Sequence, residues 1–149
     1  MENSTGVVMS RLDRPWLWGL LSVAWMAVIY MLSDRPAGDY EGVGGSLSWL
    51  PFAGTIAHIG LYFILSVFVF RTLASLNSKR IGSGMIAYLT VLTALVYGVL
   101  DELHQTRIEG RSSEAADVVA DVFGAVLAVV FWFGVNRWWR TRSGNRSGN

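Results

Sequence analysis

Four apolar runs dictate what this chain can fold into. Pro15–Ser33 is 19 residues without a charge, Gly42–Phe70 is 29, Ile81–Leu100 is 20 and Val122–Asn136 is 15. A hydrocarbon core about 30 Å thick takes about 20 helical residues at roughly 1.5 Å each. The first and third runs fit directly. In the second, the later part, roughly Pro51–Phe70, is the predicted helix. The fourth is too short alone. Extending it back to about Ala115 completes a span and takes Asp117 and Asp121 into its first turns. No water reaches the bilayer core to satisfy exposed backbone groups, so such segments cross it as helices. The predicted fold is all-α, a transmembrane four-helix bundle.

Composition agrees. With 52% hydrophobic residues, a mean hydropathy of +0.41 and seven Trp, a soluble domain would have too little polar surface to cover itself. The chain has no Cys, which excludes disulfides, thiolate metal sites and Cys nucleophiles. Arg11 and Arg14 before the first run could form the n-region of a signal peptide. The run is long, however, and no A-x-A-like site precedes the charged segment DRPAGDYE, so it is read as a retained span.

The net charge of +1 hides an asymmetry that sets orientation. Arg11 and Arg14 precede the first span. Arg71, Lys79 and Arg80 flank the second connection, and Arg137, Arg140, Arg142 and Arg146 follow the fourth span. These are nine of the twelve basic residues, against Arg35, Arg107 and Arg111 in the other two connections. Both termini are expected in the cytoplasm, with the protein a multi-pass membrane component. Residues 1–14 read as a cytoplasmic segment whose first nine are disordered, 15–140 as a four-span membrane domain, and 141–149 as a flexible cytoplasmic tail. The Gly-rich first connection, Asp34–Leu50, is expected to cover part of the outer end. Trp16, Trp18, Trp132, Trp138 and Trp139 gather at the cytoplasmic ends, where amphipathic rings favour the interface.

Between Leu95 and Gly124 the chain reads LVYGVLDELHQTRIEGRSSEAADVVADVFG, placing six acidic groups, a His, a Gln and two Arg between two membrane spans. A charge facing lipid costs about 2.5–3.5 kcal/mol at a helix centre, so these groups require an internal partner or a function. Tyr97, Asp101, His104 and Gln105 fall at i, i+4, i+7 and i+8 on one helical face, with Glu102 about a quarter turn away. Asp117, Asp121 and Gly124 share a face of the fourth span, and His58, Tyr62 and Ser66 share one of the second. Ser112 or Ser113 can N-cap the fourth helix, with Glu114 in its first turn. In the expected topology all these stripes meet at the extracytoplasmic end, and Arg111 lies in the loop between two of them. The pocket candidates are therefore His58, Tyr62, Asp101, Glu102, His104, Gln105, Arg111, Asp117 and Asp121, with Arg111 expected to hold a carboxylate of Asp117, Asp101 or Asp121.

Several chemistries fit these residue types. The stripes could simply lock helices together, each polar contact contributing about 0.6–2 kcal/mol. His58 and His104 with Asp101, Glu102 and Asp121 could ligate a divalent metal, although no HExxH motif is present and the spacing is unspecific; no metal or other cofactor is assigned. Ser112 and Ser113 lack a G-x-S-x-G context and read better as caps than as nucleophiles. A carboxylate-rich pocket can also do general acid–base work. Gly124 reads as a packing position and the C-terminal Arg residues as topology determinants.

These residues carry a resemblance. MLSD at the end of the first span, HIGLYFIL with His58 and Tyr62, DELHQ (Asp101–Gln105) and GRSSEAADVVADVFGA with Gly110, Arg111, Asp117, Asp121 and Gly124 together resemble the VanZ-like family of small multispanning bacterial membrane proteins. The family is named after a protein associated with teicoplanin resistance, and the likeness extends from about Trp25 to Phe133. Family members often carry a Lys three residues before the His, where this chain has Thr55. The resemblance implies a cell-envelope role, acting on or binding a lipid-linked or peptidoglycan-related ligand and affecting how glycopeptide antibiotics engage the outer surface. The partners expected are the lipid bilayer and such a ligand, with no nucleic acid. A membrane-embedded hydrolase or transferase using the Asp/Glu/His residues, and a purely structural subunit, are the alternatives.

Overall fold

In a computed structural model of the chain, residues 14–36, 53–76, 81–108, 110–111 and 113–144 are described. Among them lie four helices, α1 (Pro15–Ser33), α2 (Ala53–Leu76), α3 (Ser83–Gln105) and α4 (Ala115–Gly144), and no strand. Each has a stretch long and apolar enough to cross a membrane. The fold is an all-α, transmembrane four-helix bundle.

The helix ends follow local chemistry. Pro15 occupies the first turn of α1, where its missing N–H costs nothing, and Asp34 N–H closes the last turn on Tyr30 O at 2.9 Å. Past α3, Thr106 N–H reaches Glu102 O at 3.3 Å, and the chain reverses through Gly110, whose φ of 74° lies in the left-handed region that glycine adopts without strain. Helix α4 starts at Ala115, two residues beyond Ser113, and the N–H of Glu114 is taken by the Glu102 carboxylate at 2.9 Å. The start of α4 is thus tied to the end of α3.

Two helices outrun their apolar stretches. Helix α2 passes beyond Phe70 to Leu76 because Arg71 is covered by aromatic faces, its guanidinium 4.9 Å from the Trp18 ring and 5.0 Å from the Trp132 ring. Helix α4 continues to Gly144, so the first residues of the expected tail are helical. The N-terminal nine residues, most of the Gly-rich first connection, Glu109, Ser112 and the last five residues lie outside the described residues.

Helix α2 is the central element. It packs most extensively on α4, then on α1 and α3, while α3 also packs on α4 and touches α1 only lightly. Large apolar side chains point outward, among them Leu20, Val23, Ile56, Leu100, Phe123 and Phe131, as lipid-facing positions require. Against the large buried side chains of α2, such as Tyr62, Leu65 and Phe70, the buried stripes of α3 and α4 are rich in small residues. Thr90, Ala94 and Gly98 line α3, and Ala120, Gly124, Ala125 and Ala128 line α4. Without a strong hydrophobic drive in lipid, close backbone approach is what holds such helices together. At Gly124 the α2 backbone comes so near that an added Cβ would collide with the Ile59 carbonyl. Trp25 Nε1 donates to Leu61 O at 2.9 Å and Tyr97 Oη to Met26 O at 2.6 Å, tying α1 to α2 and α3.

Candidate functional site at the polar end of the bundle

The up-and-down path brings the end of α1, the start of α2, the end of α3 and the start of α4 to one end. Successive residues on a helix differ by about 100°. On α3, Asp101 and Glu102 therefore look toward different neighbours, and the polar end divides into two connected groups.

The first group joins α1, α3 and the α3–α4 turn. Ser33 Oγ donates to Asp101 Oδ2 at 2.8 Å, and Gln105 Nε2 donates to the same oxygen at 3.1 Å. The Gln105 carbonyl accepts from Arg111 Nε at 3.2 Å and Nη2 at 2.7 Å. A guanidinium only donates, which fixes the amide with its oxygen toward Arg111 and its nitrogen toward Asp101. Ser33, Asp101 and Gln105 are all buried. Here the Arg111 fork holds an amide oxygen, and Gln105 carries its influence to Asp101.

The second group joins α2, α3 and α4. His58 Nδ1 lies 2.9 Å from Asp121 Oδ1, and Nε2 lies 3.9 Å from Asp117 Oδ2. Glu102, a quarter turn off the face first considered, is 3% exposed and faces this group. Atoms of His58, Glu102 and Asp117 able to ligate a metal all lie within 4.8 Å of one another. Asp121 is fully buried, and among the described residues its second oxygen has no hydrogen-bond partner; the same holds for one oxygen of Glu102 and for the hydroxyls of Tyr62 and Ser66. Tyr62 stacks under the His58 ring, centroids 6.5 Å apart, as the floor of the group. Gly98 leaves the room Asp121 needs, since a Cβ there would come within 2.6 Å of Asp121 Oδ2.

His104 belongs to neither group. Its Nε2 lies 3.0 Å from Asp34 Oδ1, and its ring packs 4.7 Å from that of Tyr30, at the α1 side of α3. The two histidines thus turn to different neighbours.

The family model for VanZ/LLP1 matches residues 18–137. The chain belongs to the VanZ/LLP1 family. No curated protein and no solved structure matches it significantly. In this VanZ/LLP1 chain the HIGLY, DELHQ and GR…D…D segments supply both polar groups, with Ser33 of α1 completing the first. Ser33, Asp34 and Gly98 escaped assignment from the residue pattern. Ser33 and Asp34 end the first span at the membrane level of His58 and Asp101, so topology alone could have included them. Gly98 had no such signal, because only the packing of α4 gives it a role.

Proposed function

We propose that this VanZ/LLP1 protein resides in a bacterial cytoplasmic membrane with both termini inside, and that its polar end faces outward and engages the polar head of a lipid-linked or peptidoglycan-related envelope component. The observation that carries this reading is the concentration of Glu102, Asp117 and Asp121 around His58 at the end of four lipid-facing helices. Purely structural helix pairing is served by one or two neutral polar contacts, as at Trp25 and Tyr97; three carboxylates exceed that need. An open apolar groove of about 340 Å³ on the α1–α3 side, lined by Met26, Leu92, Val96 and Leu100, suits an acyl or isoprenoid chain whose head would lie near Asp101. Through such a component the protein would alter susceptibility to glycopeptide antibiotics.

The second reading is enzymatic: a membrane-embedded hydrolase or transferase in which the same group does the chemistry. It is favoured by the imidazole held between two carboxylates, the arrangement general acid–base work uses. Teicoplanin susceptibility of a bacterial strain expressing the protein, compared with Asp101→Asn and Asp121→Asn at matched membrane levels, tests the envelope role. A change in susceptibility that both variants abolish supports it, and no change on expression of the native chain overturns it.

A further inference from the structure

We propose that His58, Glu102 and Asp117 bind one divalent transition-metal ion of the zinc type, with Asp121 holding the His58 ring in place for it. Three helices converge on this point. His58 comes from the start of α2, Glu102 from the end of α3 and Asp117 from the start of α4, their ligand atoms all within 4.8 Å. The 3.9 Å between His58 Nε2 and Asp117 Oδ2 is slightly wider than the roughly 3.3 Å separating two ligands of a tetrahedral ion with bonds of about 2.0–2.1 Å. Side-chain adjustment of about 0.6 Å closes this pair, and of up to about 1.5 Å the widest separation among the three ligand atoms.

Orientation of the histidine is the second support. Where Asp121 is ionised its carboxylate only accepts, and Nδ1–H then donates to Oδ1 across the 2.9 Å contact. Nε2, the other ring nitrogen, then presents its lone pair toward Asp117 and Glu102. Carboxylate, imidazole and metal in a line is the arrangement that fixes tautomer and ring angle in histidine-ligated metal sites.

The third support is electrostatic. Glu102 is only 3% exposed, and among the described residues one of its oxygens has no hydrogen-bond partner. Among the described residues the ion pairs of Asp117 and Asp121 both run to the single His58 imidazole. Carboxylates gathered at the edge of an apolar bundle call for more positive charge than one imidazole supplies, and a divalent ion would provide it. Imidazole with two carboxylates selects zinc, cobalt or manganese over magnesium or calcium, which prefer all-oxygen sites. Three protein ligands leave a coordination position free, open to a water or to an oxygen of an anionic headgroup. His104, paired with Asp34, is not a ligand.

The inference takes its location from the site reading above and is independent of what the site engages. Its test is binding by the full-length chain in detergent, purified without a His tag, stripped with a chelator and titrated with Zn²⁺ or Co²⁺. Saturable uptake of about one equivalent, with the visible bands of four- or five-coordinate cobalt, is expected. Glu102→Gln and Asp117→Asn should lose it, Asp121→Asn should bind about 10–100-fold more weakly, and His104→Gln should match the native chain. No saturable uptake by the native chain overturns the inference, as does native-like uptake by Glu102→Gln. The native titration decides alone if a variant fails to elute as a single folded species. Uptake without any susceptibility effect would remove the envelope reading and leave the metal site standing.

Discussion

Asp121 is fully buried in α4, yet its carboxylate meets His58 on α2 at 2.9 Å, while Asp117, one turn earlier and partly exposed, stands 3.9 Å from the same ring. The two acids sit on one helical face with different energetic roles. Removing one partner of a buried pair strands the other and typically costs about 3–5 kcal/mol, whereas a partly exposed, long pair contributes about 0–1 kcal/mol. Asp121→Ala is therefore expected to destabilise the bundle several times more than Asp117→Ala in unfolding measured in detergent. Equal losses would show that Asp121 is not anchored by His58.

The glycines give a sharper packing test. A Cβ on Gly124 would run into the Ile59 carbonyl and approach Phe63 N within 3.1 Å, both backbone atoms of α2 that cannot rotate away. Overpacking of this kind costs about 1–3 kcal/mol or more. At Gly60, also inside α2, nothing lies within 4 Å of the added carbon, and Ala there should be neutral or stabilising by about 0.4–1 kcal/mol. Thermal denaturation of both variants in detergent checks the contrast. A tolerated Gly124→Ala would mean that α2 and α4 do not approach as closely as described.

How far the sequence reveals this fold differs between its levels. The four spans are legible because span length is set by bilayer thickness, and α1 begins and ends where its uncharged run does. The convergence of polar groups at one end follows from alternating helix direction alone. What spacing does not show is which neighbour each residue faces. Tyr97, Asp101, His104 and Gln105 share a face at helical spacing, yet His104 reaches out to Asp34 while Asp101 and Gln105 stay inside. Glu102 looked peripheral on that wheel because a wheel presumes one interior direction. Helix α3 has two, toward α1 on one side and toward α2 and α4 on the other. Likewise, no pattern within residues 113–115 reveals that the helix start of α4 is capped from α3, because the partner lies 12 residues away.

Orientation is open to direct measurement because the chain has no native Cys. Arg107 is exposed in the α3–α4 turn at the polar end, and Leu76 is exposed at the opposite end of α2. Basic residues predominate on the Leu76 side, which is expected to be cytoplasmic. A membrane-impermeant thiol reagent applied to intact cells should label Arg107→Cys and spare Leu76→Cys. The reverse pattern would invert the topology and place the polar end inside the cell.

Arg111 supplies the last prediction. Its Nε and Nη2 both donate to one oxygen, Gln105 Oε1, at 3.2 and 2.7 Å, and that contact orients the amide whose nitrogen bonds Asp101. A planar fork can deliver two N–H groups to one buried acceptor in fixed geometry, which an ammonium on a flexible stem does poorly. Arg111→Lys keeps the charge and loses the fork, so Gln105 is free to turn and Asp101 loses a donor. Hydrogen bonds involving a charged group contribute about 1.5–3 kcal/mol each, so a loss on the order of 2 kcal/mol is expected. Arg107 lies in the same turn but is exposed, and Arg107→Lys should change stability by less than about 0.5 kcal/mol. Unfolding in detergent and the teicoplanin assay, run on both variants at equal expression, check the contrast. If the two substitutions behave alike, Arg111 does not organise the Ser33–Asp101–Gln105 chain, and that half of the polar end is held by α1 and α3 alone.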